Sequence, residues 1–178
     1  GQAATAARRN DEFSKSDSQE ASMNVKIIDR KPTTVAYLRH VGPYGPELSE
    51  FWEGTVLPWM QTNRLLGRPR YGISLDDPGI TAPERLRYDA AIEVEPDFVG
   101  AGQHQKTSIP GGKYAAARFN GTGAELGEAW MALLRDWLPG SGLQLDARPL
   151  FEYYAPDMAM DLKTGAFECD ICIPVTKL

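Results

Sequence analysis

Hydrophobic and polar residues alternate along two long segments of the chain, which predicts strands with one buried face. Residues 86–94 and 167–173 both place apolar side chains at every second position. Between the predicted strands, Trp and Leu recur at spacings of three, four and seven residues, which predicts helices with one apolar side. An antiparallel sheet covered by helices on one face accounts for both periods.

The predicted elements occur twice, at an offset of 78 to 80 residues. Each copy has the order strand, helix, strand, strand, and self-similarity at one offset is the signature of a repeated structural unit. The sequence therefore predicts an α+β fold of two such units in tandem, at about residues 23–98 and 104–178, with antiparallel sheets and helices on one face. The matching positions are Arg39 with Arg118, Gly42 with Gly121, Trp52 with Trp130, Trp59 with Trp137, Pro69 with Pro149, Asp77 with Asp157 and Asp89 with Glu168.

Residues 1–22 are polar, contain one aromatic residue, Phe13, and show no apolar periodicity. Such a segment buries too little apolar surface to offset the entropy of ordering it. We therefore predict a polar linker or cloning remnant over residues 1–22 and one folded domain over residues 23–178. In the predicted helices, Pro58 is expected to interrupt the first, and Pro139 with Gly140 to end the second.

Four tryptophans lie in the two predicted helices, two in each. Large aromatic rings can form a cage around a ligand or a seam that holds helices onto a sheet. Their helical spacing favours the core seam.

The sheet face without helices is expected to carry polar side chains where the two units meet. Alternation places Glu168 and Asp170 on this face, opposite the apolar residues of the last strand. Carboxylates among aromatic rings suit an organic cation, because ring faces are electronegative and a carboxylate supplies the counter-charge. The candidate ligand-binding residues on this face are Tyr37, Glu152, Tyr154, Glu168 and Asp170.

An ion-pair network is the structural alternative for the same acids. Arg39 and Arg118 alternate onto the same face and are suitable partners for the carboxylates. The sequence leaves both interpretations open.

Composition and charge narrow the classes of function. The formal net charge is −5, which disfavours binding to phosphate backbones by this chain alone. No segment approaches the roughly 20 consecutive apolar residues of a membrane-spanning helix. We therefore expect a cytoplasmic protein without a membrane partner.

The residues with reactive side chains do not form a recognisable catalytic or metal-binding motif. Cys169 and Cys172 lie three apart on a predicted strand, so their side chains point to opposite faces. His40 falls on a strand and His104 in a loop, with no nucleophile pattern, phosphate loop or metal-ligand spacing around them. We expect no cofactor and no metal, and a binding function is favoured over catalysis.

Several short motifs resemble one family: the effector-binding domain shared by gyrase-inhibitor-like proteins, the carboxy-terminal domains of AraC-type regulators and MerR-type multidrug sensors. The resemblance spans about residues 23–178 and rests on the spacing between motifs more than on any one of them. The motifs are Val41–Tyr44, Tyr71–Ser74 followed by Asp76–Pro78, Leu86–Ala90, Gly111–Tyr114, Pro149–Tyr153 with Tyr154, and Asp170–Pro174.

The resemblance implies pseudo-twofold symmetry between the two units, with a ligand groove between them. It also implies binding of hydrophobic, often cationic compounds by an acidic residue on a late strand and surrounding aromatic side chains. Glu168 or Asp170 would be that acid, and the Phe-Glu-Tyr-Tyr segment would add Glu152 and Tyr154.

The motifs look most like domains attached to an AraC-type helix-turn-helix pair, which this chain does not contain. The expectation is a small-molecule effector-binding module of a transcription regulator, which contacts DNA only through a separate helix-turn-helix domain. The alternative is a free-standing member of the family that starts near Met23. It would be either a hydrolase of reactive cyclopropane-bearing compounds or a gyrase-inhibitor-like protein. A homodimer is left open.

Overall fold

The computed structural model describes residues 23–158, 160–161 and 163–178. The segment 1–22 lies outside the described residues, so its assignment as a linker stays a prediction. Within the described part the chain forms nine strands: β1 (Val25–Arg30), β2 (Thr33–Val41), β3 (Arg70–Ser74), β4 (Arg87–Glu93), β5 (Gln105–Ile109), β6 (Gly112–Gly121), β7 (Leu143–Leu145), β8 (Phe151–Tyr154) and β9 (Phe167–Lys177).

Two helices connect these strands, and a 3-10 turn (Pro83–Arg85) precedes β4. The first helix (46–62) is α-helical over Pro46–Phe51, π-helical over Trp52–Val56 and α-helical again over Leu57–Thr62. The second helix (123–140) is α-helical over Gly123–Met131, π-helical over Ala132–Trp137 and 3-10 helical over Leu138–Gly140. Thr122 and Glu125 form a capping box at its start, which satisfies two otherwise free backbone N–H groups.

Pro58 does not break the first helix, which corrects the expectation from the sequence. A proline ring crowds the carbonyl four residues earlier and cannot donate a backbone hydrogen bond. The turn before Pro58 adopts the wider π-helical form, and the helix then continues to Thr62. The second helix ends at Pro139 and Gly140, as predicted.

The strands form one curled antiparallel sheet in the order β1-β6-β9-β8-β3-β4-β2-β5, with β7 also paired to β9. The α+β class and the antiparallel pairing are confirmed. The prediction of separate sheets is wrong, because β3 pairs directly with β8 and joins the strands of both halves. The strand register also corrects one of the matched pairs of the repeat. Arg39 lies opposite Asp89, and Arg118 lies opposite Asp170. The counterpart of Asp89 is therefore Asp170 and not Glu168.

Both helices pack on the same face of the sheet, which we call the helix-bearing face. There the side chains of β4 contact the first helix and those of β9 contact the second, in two clusters that include Tyr88, Ile92, Trp59, Ile171 and Leu133. The opposite, helix-free face has its own buried cluster, which includes Tyr71, Ile73, Tyr114, Phe151 and Cys172. Cys169 packs in the helix-bearing cluster, so the two free cysteines lie on opposite faces, as predicted.

The connection between β1 and β2 crosses from one half of the sheet to the other. Two residues, 31 and 32, separate these strands, yet β1 pairs with β6 while β2 pairs with β4 and β5. The first strand of the described part therefore belongs to the sheet region built by the second half.

Candidate functional site

A buried carboxyl group lies at the centre of the helix-bearing face. Glu152 is on β8, the strand between β9 and β3, and is 6% exposed. Its neighbours Phe151 and Tyr153 pack on the helix-free face, so Glu152 and Tyr154 point to the helices. The sequence thus brings an acid to the middle of the sheet, between the two helices.

Glycine at position 72 makes room for this carboxyl group. Gly72 lies directly opposite Glu152 in the register of β3 and β8. A Cβ atom at Gly72 would overlap the Tyr88 hydroxyl and the Glu152 carboxylate. A larger residue would displace one of these groups, so the close approach requires glycine.

Hydrogen bonds connect the carboxylate to both halves of the domain. The Tyr88 hydroxyl donates to Glu152 Oε2 at 3.3 Å, and the Tyr154 hydroxyl donates to the same oxygen at 3.2 Å. The indole Nε1 of Trp52 donates to the Tyr88 hydroxyl at 3.0 Å. The first helix is therefore linked to the acid through one tyrosine.

Burial raises the pKa of Glu152 to about 7, and hydrogen bonds from Tyr154, Tyr88 and Trp130 oppose the rise. Burial and the neighbouring acid also raise the pKa of the Tyr88 and Tyr154 hydroxyls. The tyrosines therefore stay neutral donors while the acid gains or loses its proton near neutral pH. Glu152 can act there as a counter-ion for a cation or as a hydrogen-bonding group for a neutral molecule.

Aromatic rings surround this acid. The ring centroid of Trp52 lies 6.5 Å from that of Tyr88 and 6.2 Å from that of Tyr154, and both contacts are edge-to-face. Trp130, on the second helix, is half-buried and contributes to lowering the pKa of the carboxyl group. We refer to Trp52, Tyr88, Trp130, Glu152 and Tyr154 as the Glu152 site. It presents one carboxyl group and four aromatic side chains from both halves of the chain.

The acids of β9 lie on the helix-free face in ion pairs. Arg118 Nε donates to Asp170 Oδ1 at 2.7 Å, and Arg118 Nη1 is 3.6 Å from Glu168 Oε2. On the same face Arg39 binds Asp89 through two hydrogen bonds of 2.7 and 2.9 Å. This arrangement is the ion-pair network that the sequence left as the alternative.

The five sequence-predicted site residues therefore do not converge on one surface. Glu152 and Tyr154 lie on the helix-bearing face, while Glu168 and Asp170 lie on the other. Tyr37 is also on the helix-free face, where its hydroxyl donates to Gln105 Oε1 at 2.9 Å. The expectation of one groove on the helix-free face is corrected, because the alternation in β8 begins with Phe151 on that face.

Tyr88, Trp52 and Trp130 are not among the ligand-binding residues that the sequence predicts. Their apolar periodicity indicates core positions, and periodicity does not show where a hydroxyl or indole N–H points. The repeat itself contains a signal for this site. Residues 72 and 152 are 80 positions apart, so they are equivalent positions of the two units, and the first unit has glycine where the second has an acid.

A cavity of about 470 Å³ opens on the helix-free face, away from the Glu152 site. Two of its polar lining residues are already paired, since Arg118 binds Asp170 there. We place the candidate site at Glu152, because a buried acid with a raised pKa and no cationic partner among the described residues is typical of functional sites. The lining residues of the cavity are Asn24, Lys26, Ile28, Ala116, Arg118 and Asp170.

No group of three His, Cys, Asp or Glu side chains among the described residues is arranged to hold a metal ion. Neither described helix has the length and apolar character needed to cross a membrane.

Comparison with known proteins identifies the family. Residues 23–176 match the model of the GyrI-like small molecule binding domain, so the chain belongs to this family. It is 32% identical to a DNA gyrase inhibitor of Cronobacter turicensis over 84% of this chain and 92% of that protein. It is 28% identical to the probable transcriptional regulator YgiV of Escherichia coli K12, over 86% of this chain and 97% of that protein.

Among solved structures, the fold is similar to that of the EcmrR C-terminal domain. The TM-score is 0.69 at 14% sequence identity, and the match covers 88% of this chain and 99% of that chain. At this identity the likeness supports the fold. The class that fold and family define together is a small-molecule-binding domain.

Proposed function

We propose that this domain binds a planar, hydrophobic organic compound at the Glu152 site, as the effector-binding module of a cytoplasmic transcription regulator of AraC type. The observation that carries the proposal is a buried carboxyl group among four aromatic side chains, with no cation among the groups that shift its pKa. Aromatic walls with one well-placed polar group are typical of small-molecule sites.

The position of the site between the helices supports a role in signalling. Trp52 and Trp130 come from different helices, and Glu152 comes from the strand between them. A ligand inserted among these side chains would change how the two helices are spaced. Such a change would regulate a separate helix-turn-helix domain if the ligand binds one spacing more tightly than the other.

We propose further that a pseudo-twofold axis relates the two halves and passes through the pair Gly72 and Glu152. These residues are 80 positions apart in the sequence and directly opposite in register. A residue and its counterpart can face each other across antiparallel strands only next to such an axis. One acid at the axis can be reached from both halves, and glycine opposite it leaves the space.

A titration with two probes tests the binding function. N-methylacridinium is a planar cation, and acridine is its neutral counterpart at pH 8. Glu152→Gln is expected to weaken N-methylacridinium binding about 10- to 100-fold, the equivalent of losing one charge-assisted contact. Acridine affinity should change little. Isothermal titration calorimetry at pH 8 measures both.

Variants on the helix-free face are the matched controls for this titration. Asp170→Asn and Glu168→Gln each remove one carboxylate from the ion pairs with Arg118. Both should bind the two probes as the parent does. If either control loses cation affinity and Glu152→Gln does not, the ligand site is on β9 and the proposal is wrong.

Sequence similarity to a DNA gyrase inhibitor favours a second candidate function, inhibition of gyrase. At 32% identity over 92% of that protein, the relatedness covers nearly its whole length. A gyrase supercoiling assay with the purified domain tests this function. Inhibition that Glu152→Gln leaves unchanged would assign the effect to a surface outside the Glu152 site.

A further inference from the structure

Arg70 lies over the rings of the Glu152 site. It is on β3 two residues before Gly72, so both point to the helix-bearing face. Its guanidinium carbon is 5.5 Å from the ring centroid of Trp52 and 5.3 Å from that of Tyr154. These distances are within the range of cation–π contacts.

The charge of Arg70 is not neutralised by an acid in the described part of the chain. Arg39, Arg87 and Arg118 each form an ion pair there, and Arg70 does not. Arg30 also stacks on aromatic rings, but it lies on the helix-free face and donates to the Tyr71 hydroxyl. Arg70 is thus held by the faces of Trp52 and Tyr154.

Among the described residues, Arg70 forms no ion pair with Glu152 either. The groups that favour ionisation of Glu152 are Tyr154, Tyr88 and Trp130, none of which is a cation. Within the described residues, the site therefore combines an acid without a cationic partner and two ring faces that already hold a cation. A ligand cation bound to those same faces would have to displace the guanidinium.

We propose that Arg70 is an internal competitor for cationic ligands and shifts the charge preference of the Glu152 site away from cations and toward neutral planar compounds. The proposal rests on the proposed binding function. Arg70 must leave the rings when a ligand stacks on them, and its charge remains nearby. That charge repels a bound cation and attracts a bound anion.

Three planar probes test this charge preference: N-methylacridinium, acridine and acridine-9-carboxylate. In Arg70→Gln, affinity for N-methylacridinium should rise about tenfold and affinity for acridine-9-carboxylate should fall about tenfold, with acridine changing less than threefold. Arg70→Met, which keeps an apolar side chain, should change the three affinities in the same directions. Fluorescence titration at pH 8, with thermal unfolding of each variant, provides the measurements.

Two control variants separate charge from position. Arg70→Lys keeps the charge and loses the planar stack, so its preference among the three probes should stay within threefold of the parent. Arg68→Gln removes a nearby charge that pairs with Glu95 at 3.6 Å, away from the rings. It should leave all three affinities unchanged.

The outcomes separate this inference from the proposed function. If Glu152→Gln weakens cation binding but Arg70→Gln and Arg70→Met bind cation and anion as the parent does, the role of Arg70 is overturned and the binding site stands. An equal effect of Arg68→Gln would also overturn it, because net charge alone would then explain the result. If no probe binds the parent or any variant, both proposals fail.

Discussion

Burial of Glu152 makes the stability of the folded domain depend on pH. Its folded-state pKa of about 7 lies above its ordinary value of 4.5. Between these values the folded chain binds more protons than the unfolded chain, so the free energy of unfolding falls as pH rises through this window. At pH 8 the loss amounts to about 3 kcal/mol relative to pH 4.5.

Replacing Glu152 with glutamine should remove this pH dependence. Glu152→Gln keeps a polar side chain and eliminates the buried charge, so the variant should be more stable than the parent at pH 8 and similar to it near pH 4.5. Urea unfolding at the two pH values measures the difference. Asp170→Asn is the control, and a parent whose stability does not fall between these values would contradict the argument.

The strand β3 shows how one small residue maintains the site. Gly72→Ala places a methyl group against the Tyr88 hydroxyl and the Glu152 carboxylate. Overpacking of this kind costs roughly 1 to 3 kcal/mol of folding free energy. The variant should also bind acridine more weakly, because the acid or the tyrosine must move.

A second glycine provides the comparison for Gly72. Gly127 lies in the second helix with open space around the position that a methyl group would occupy, so Gly127→Ala should stabilise the helix by about 0.5 to 1 kcal/mol. Denaturant unfolding measures the free energy of unfolding of both variants. If close packing at Gly72 causes the destabilisation, this free energy should fall in Gly72→Ala and rise in Gly127→Ala. Equal effects would show that the packing at Gly72 is not special.

The second helix separates core packing from ligand contact. Leu133 is completely buried against β6 and β9, whereas Trp130 is half-buried beside Glu152. Leu133→Ala should cost about 2 to 5 kcal/mol, as truncation of core residues does. Trp130→Ala should cost less than that and should weaken acridine binding more. Unfolding and titration of both variants measure the stability cost and the loss of acridine affinity. If Trp130→Ala costs more stability than Leu133→Ala, Trp130 acts mainly as a core residue.

Strand length explains for which strands the sequence predicts the correct face of the sheet. In β4 and β9 the apolar residues recur over many positions, and the structure confirms their predicted faces. The four residues of β8, Phe-Glu-Tyr-Tyr, contain three aromatic side chains, so alternation does not distinguish the two faces. The prediction for Glu152 and Tyr154 is therefore wrong about the face. The pairing of β3 with β8 is non-local and has no periodic signature in the sequence.

At the level of the whole molecule, the family match begins at residue 23. A chain that starts at Met23 should therefore keep its thermal midpoint within a few degrees of the full chain, because residues 1–22 have no apolar periodicity to bury. Differential scanning calorimetry of the two chains measures the change. A larger drop would show that this segment packs against the domain.

The crossing between β1 and β2 has a consequence for how the domain folds during synthesis. Val25 pairs with Ala117 and Arg30 with Gly112, so β1 leaves the ribosome long before its partner strand exists. The first half alone leaves β1 without a neighbour, and pairing over such a sequence separation is slow. A nascent chain halted after β4 would hold an unpaired strand that is open to wrong partners. The first strand of the domain thus stays unpaired until β6, a strand of the second half, has been synthesised.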